Sequence, residues 1–111
     1  MTDLKKLLEV VEVGGKPGND GTLYRIFGNH WLHAWNILEG IGGLTEAHRL
    51  HVSLLHERVV KNETWSKRYG GTIQLIGDHG RVVGQGSSED DDPARAWLIA
   101  ILKALIAEDQ R

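Results

Sequence analysis

The stretch Asp92-Pro93-Ala94-Arg95-Ala96-Trp97-Leu98-Ile99-Ala100-Ile101-Leu102-Lys103-Ala104-Leu105-Ile106-Ala107 decides the fold. Asp92 offers a side-chain acceptor to the orphan N–H groups of a first turn, and Pro93 suits the first helical position. A helix therefore starts there, with the acidic run Glu89-Asp90-Asp91-Asp92 at its positive end. From Pro93 to about Ala107 only Arg95 and Lys103 interrupt an otherwise apolar sequence, and a helix apolar nearly all round is buried on more than one side. Its length, roughly 22 Å at about 1.5 Å per residue, falls short of the roughly 30 Å hydrocarbon layer. It reads as a core helix and not as a membrane span. Leu98, Ile101, Leu102 and Leu105 are expected on a sheet, which leaves Trp97, Ala100 and Ala104 on a second stripe open to close helix approach. That stripe is expected at the interface of a homo-oligomer, most simply a two-fold dimer.

Upstream, short apolar pieces alternate with glycine. Thr72 to Ile76, the loop Gly77-Asp78-His79-Gly80 and Arg81 to Gly84 read as two strands of a hairpin, followed by a flexible exit, Gly84 to Ser88. Trp65 to Tyr69 fits an earlier strand of the same sheet.

The N-terminal half is helical. After a Thr2 cap, Leu4, Leu7, Leu8 and Val11 recur at helical spacing, and Gly14 and Gly15 end the segment. Lys16 to Gly21 is a loop in which Asn19 or Asp20 caps a short helix with Leu23, Ile26 and Phe27 inward and Gly28 at its end. Asn29 to Gly40 fits both a helical stripe (Trp31, Ala34, Trp35, Leu38) and strand alternation (Trp31, His33, Trp35, Ile37), and a helix is favoured. Ile41-Gly42-Gly43 breaks the chain. Thr45 is then expected to cap a helix with Ala47, Leu50, Leu54 and Arg58 on one face and His48, His51 and Glu57 on or near the solvent side. The expected class is α+β: a small, mostly antiparallel sheet packed between helices, in one domain of residues 1–111.

Composition narrows the chemistry. The 111 residues suffice for one core, and the absence of cysteine excludes disulfides, thiolate metal sites and a cysteine nucleophile. Thirteen basic against fifteen acidic residues, a net charge of -2, give no general attraction to nucleic acid or anionic lipid. Lys5, Lys6 and Glu9 interrupt the apolar residues near Met1 where a secretory signal needs an unbroken run, so a cytoplasmic location is expected.

Motif by motif, catalysis finds no support. There is no HExxH, no phosphate-loop signature and no dinucleotide fingerprint around Gly84-Gln85-Gly86. Ser53, Ser66, Ser87 and Ser88 sit in no nucleophile-elbow context. The carboxylates of Glu89 to Asp92 diverge along one run, which suits capping and solvation better than acid–base work. His30 with His33, and His48 with His51, have a spacing that lets two imidazoles share a helical face, yet neither pair has a carboxylate in a known ligand register. Solvated histidines, no metal, no cofactor and no enzyme are expected. What remains is a ligand-type concentration: Trp65, Lys67, Arg68 and Tyr69 before Gly70 and Gly71, with His79 and Arg81 in the next hairpin. Aromatic and cationic side chains in alternation suit a nucleotide or an anionic protein patch. The same residues also suit an edge strand whose aromatics cover the core and whose cations discourage strand pairing. Trp31 and Trp35 pose the same choice, with core packing favoured.

The opening helix Asp3 to Glu12, the Gly-Pro-Gly type loop, Leu44-Thr45-Glu46-Ala47-His48-Arg49-Leu50, Trp65 and the closing helix Asp92 to Leu105 together resemble the phage alpha-beta-alpha sandwich family. The resemblance implies a phage or prophage origin and a sandwich fold, and it transfers no functional residue. With no catalytic motif, it leads to the expectation of a non-catalytic phage-derived binding protein. Such a protein would act against host defence or regulation by sequestering a small anionic ligand such as a signalling nucleotide, or by blocking a host protein in the bacterial cytoplasm. The alternative is a structural phage protein acting by self-assembly.

Overall fold

The computed structural model describes residues 2–15, 17, 20–55, 59–66, 70–88 and 92–109. Its elements in chain order are α1 (Thr2–Glu12), α2 (Asp20–Phe27), a 3-10 turn (Gly28–His30), α3 (Trp31–Leu38), α4 (Gly43–Leu54), β1 (Val60–Ser66), β2 (Gly70–Ile76), a 3-10 turn (Asp78–Gly80), β3 (Val82–Ser88) and α5 (Pro93–Asp109). The class is the expected α+β, with a three-stranded antiparallel sheet of order β1-β2-β3 packed against helices.

The layer order refines the expectation. The middle layer is α5, with β3 and β2 on one side and α1, α4 and α3 on the other. That position explains its composition: Ala94 and every residue from Ala96 to Leu102 are buried. The cap on α5 is as the sequence implies, because the Arg95 N–H donates to Asp92 Oδ1 at 3.1 Å. Both charges that interrupt the helix turn toward α1. Arg95 Nη1 donates to the carbonyls of Val11 and Gly15 at 3.1 and 2.9 Å, and Lys103 Nζ lies 3.8 Å from Glu12. A cation at a helix C-terminus meets the negative end of its dipole, so Arg95 fastens α1 to α5.

Gly14 lets α1 end in this way. In the left-handed region at φ 86°, it turns the chain so that the Gly15 N–H reaches the Val10 carbonyl and the Gly14 N–H that of Val11. The segment open to two readings is a helix: Ala34, Ile37 and Leu38 of α3 are buried, and Trp31 and Trp35 are half-buried on the core. Thr45 is not the cap of the next helix. α4 begins at Gly43 with Gly42 as its N-cap, because left-handed Gly42 already frees its carbonyl to accept the Thr45 N–H.

In the sheet, alternation puts Ile73 and Leu75 of β2 on the α5 side. The other face carries two cross-strand pairs, Thr72 with Ser87 at 3.3 Å and Gln74 with Gln85 at 3.1 Å. The expected flexible exit after Gly84 is strand instead, since β3 runs to Ser88 in register with Gly71. β1 also starts and stops earlier than expected, at Val60 and Ser66.

The reason β3 continues through two glycines is the helix above it. A Cβ at Gly86 would fall on the carbonyl oxygen of Ala96 and lie 2.8 Å from the Ala100 nitrogen, and a Cβ at Gly84 would fall on the Ala100 carbonyl oxygen. Strand backbone therefore touches helix backbone. This corrects the assignment of faces on α5. Ala100 and Ala104 admit the sheet, not another subunit, and with Trp97 they are buried within one chain. Gly86→Ala forces these layers apart and is expected to lower stability by about 3 kcal/mol, whereas Asp92→Ala, which loses the cap and the ion pair with Arg95 at 3.8 Å, is expected to cost about 1 kcal/mol. Urea unfolding midpoints check both, and an unshifted midpoint for Gly86→Ala contradicts the close approach.

Candidate functional site

Among the described residues, those singled out in the sequence fall at opposite ends of β2. Trp65 and Gly70 are placed by their backbones, which pair with Gly71 and Ser66 where β1 and β2 adjoin. Lys67, Arg68 and Tyr69 lie outside the described residues, as do Glu57, Arg58 and the acidic run before Asp92. His79 and Arg81 are exposed in the β2–β3 turn, at the far end of β2 from Gly70 and about 20 Å away at the rise of a strand. They share no surface with Gly70 and Gly71.

A different group does converge. α5 packs on β3 and then β2, so β1 extends past the helix and leaves a space between its inner face and α4. The result is a cleft of about 490 Å³ lined by His48, His51, Val52, Leu55, Val59, Val60, Lys61 and Trp97. Lys61 pairs in register with inward-facing Leu75, and strand alternation accordingly brings its chain to the helix side. There Lys61 Nζ stands 4.4 Å from the centre of the Trp97 ring and 3.5 Å from Glu63 Oε2. The apolar walls are half open, with Val52 and Val60 each 62% exposed.

The base of the cleft is a fixed hydrogen-bond chain. The Trp97 Nε1–H donates to His51 Nδ1 at 3.1 Å, which obliges the proton of a neutral ring to sit on Nε2, and that N–H donates to the Val59 carbonyl at 2.9 Å. The two rings meet edge to face with centroids 5.6 Å apart, and His48 stands 6.1 Å from Trp97 on the exposed side. His51, expected near solvent, is only 8% exposed, because its ring supplies the acceptor that a buried indole N–H requires. Burial holds the His51 pKa below its ordinary value of 6.5, with His48 and Lys61 adding repulsion; the bond to Val59 opposes the shift. Both ring nitrogens are engaged, so His51 is a structural neutral imidazole and no general base.

A second polar group ties α3 to α4. His33 Nδ1 lies 2.6 Å from Glu46 Oε2, and Arg49 Nη1 is 3.4 Å from Glu46 Oε1. Glu46 is buried and its carboxyl is held below the ordinary range, mainly by the His33 hydrogen bond and against the cost of burial, with Asn36 and Arg49 assisting. His33 is thus no solvated histidine. A further groove of about 350 Å³ between Glu12, Gln85, Ser87, Ile99 and Lys103 has its two charges already paired. Among the described residues no three metal-ligating side chains converge, and no described helix is long and apolar enough to cross a membrane.

The signals that mark the cleft were partly visible. A tryptophan in a nearly all-apolar helix needs an acceptor for its N–H, and Lys61 and Glu63 hold alternate positions of one strand. Neither signal says which histidine answers the tryptophan, since that pairing joins residues 46 positions apart.

Comparison with protein-family models, with curated proteins and with solved structures finds no match for the chain. The resemblance to the phage sandwich family rests on the residues quoted for it alone.

The His51 environment sets a pH dependence. The folded state disfavours its protonated form, so between the lowered folded pKa and the ordinary 6.5 the unfolded chain binds more protons. The His51 contribution is therefore complete above 6.5 and is lost as pH falls through the folded value. Melting temperature should fall over that window, and the part due to this residue should be absent in His51→Gln. An identical pH profile in the variant contradicts the assignment.

Proposed function

We propose that the chain is a non-catalytic binding protein whose cleft between α4, β1 and α5 takes a small organic anion carrying an apolar body. The observation that carries this reading is the Lys61 ammonium held over Trp97 beside the apolar walls formed by Val52, Leu55, Val59 and Val60. An ammonium at an apolar cleft supplies the charge for a carboxylate or phosphate, while the walls take the rest of the ligand; sites of this kind combine apolar lining with a few polar groups that fix orientation. Trp97 is 4% exposed and covered by Lys61, so it serves as floor and not as an open stacking platform. That favours an aliphatic or small aryl acid over a nucleotide base. In the phage setting suggested by the family resemblance, the protein would act in the host cytoplasm by sequestering such a molecule.

Glu63 sharpens the test, because it competes with any anion for Lys61 at 3.5 Å. Thermal-shift and calorimetric titrations with octanoate, benzoate, nucleoside monophosphates and cyclic dinucleotides should show an organic acid binding. At one hundred times its dissociation constant the stabilisation is about 2.7 kcal/mol. Lys61→Gln should weaken binding at least tenfold, and Glu63→Gln should tighten it. No stabilisation by any anion, or equal binding by Lys61→Gln, overturns the reading.

A further inference from the structure

Away from the cleft, the turn into α3 presents two imidazoles side by side. His30 closes the 3-10 turn and His33 lies in the first turn of α3, so the i, i+3 spacing puts both on one helical face. Their rings are nearly parallel, with planes 16° apart and centroids 6.3 Å apart. Behind His33 stands Glu46, fixed from several directions. It accepts the Nδ1–H of His33, Arg49 approaches its other oxygen, Asn36 hydrogen-bonds to it, and Gly42 packs so closely that a Cβ there would lie 2.6 Å from Glu46 Cγ.

We propose that His30 and His33 bind one divalent transition-metal ion through their imidazole nitrogens, with Glu46 as the positioning residue behind His33. The hydrogen bond to Glu46 commits the Nδ1 proton of a neutral His33 and leaves Nε2 as the unprotonated nitrogen. A carboxylate behind a ligating imidazole is the outer-shell arrangement that fixes the ring and raises its basicity. The Glu46 side chain is 10% exposed and that of His33 26%, so the anchored part of the pair is inside and the ligating part reaches the surface.

An ion requires the two rings to converge. Nitrogens about 2.0 Å from a tetrahedral ion are roughly 3.3 Å apart, which places imidazole centroids about 5 Å apart. As they stand the rings are stacked 6.3 Å apart, and two parallel planes do not both aim a lone pair at one point, so binding requires the His30 ring to turn about its side-chain bonds toward His33. Imidazole donors select copper, zinc or nickel over magnesium or calcium, and two protein ligands leave the remaining positions to water.

Calorimetry of the tag-free full chain with ZnCl2, together with electron paramagnetic resonance with CuCl2, tests the site. One ion per chain is expected, with two nitrogen ligands in the copper spectrum. His30→Ala and His33→Ala should each leave one nitrogen and weaken binding at least tenfold, while His48→Ala should leave binding unchanged. Glu46→Gln should weaken binding about tenfold while keeping two nitrogens, and Glu46→Asp should restore part of the loss. Unchanged affinity in His30→Ala or His33→Ala, or an equal loss in His48→Ala, overturns the site. Unchanged affinity in a folded Glu46→Gln overturns the positioning role, and His30→Ala decides the site itself should Glu46→Gln fail to fold.

Discussion

The contact of β3 backbone with α5 backbone at Gly84 and Gly86 governs the remaining architecture. It fixes the strand over which the helix lies, and the antiparallel order β1-β2-β3 then fixes which strand is left beyond it. Because three strands are wider than one helix, the inner face of β1 overhangs, and the cleft floored by Trp97 is the space that results. An ordinary side chain at either glycine would lift the helix, move Trp97 relative to Lys61 and alter the cleft without touching a residue that lines it.

The same helix shows how an apolar segment accommodates a few polar groups. Arg95 and Lys103 meet α1, where carbonyls and Glu12 receive them, and the Trp97 indole is received by His51. No buried side-chain nitrogen or oxygen among the described residues lacks a partner. Burying polar atoms in this way is tolerable because each is satisfied, and it fixes rotation of the helix about its axis more strictly than apolar packing alone.

Much of this was legible in the chain because it is local. The cap at Asp92, the glycine ends of α1 and α2, the apolar stripe of Leu7 and Val11, and the hairpin of β2 and β3 all follow from residues within a few positions of one another. What escaped was long-range. Gly84 and Gly86 read as a flexible exit because a glycine needed for close approach has the same letter as a glycine needed for freedom. Ala100 and Ala104 read as a surface for another molecule because small residues announce close contact without naming the partner. The cleft escaped for the same reason: Trp65 to Gly71 form a cluster in sequence, while His51, Lys61 and Trp97 form one only after β1 folds back past α4.

The central position of α5 has a consequence for biosynthesis. Nearly all contact between the sheet and the N-terminal helices passes through it, yet it follows both in the chain. As a ribosome delivers the polypeptide, the inward faces of α1, α3 and α4 and the Ile73–Leu75 face of the sheet emerge without the surface that will cover them. Exposed apolar faces and strand edges are what aggregation and chaperones act upon during synthesis. The acidic run just before Asp92 emerges immediately ahead of the segment that covers those faces, and adds charge to the nascent chain while they are still open.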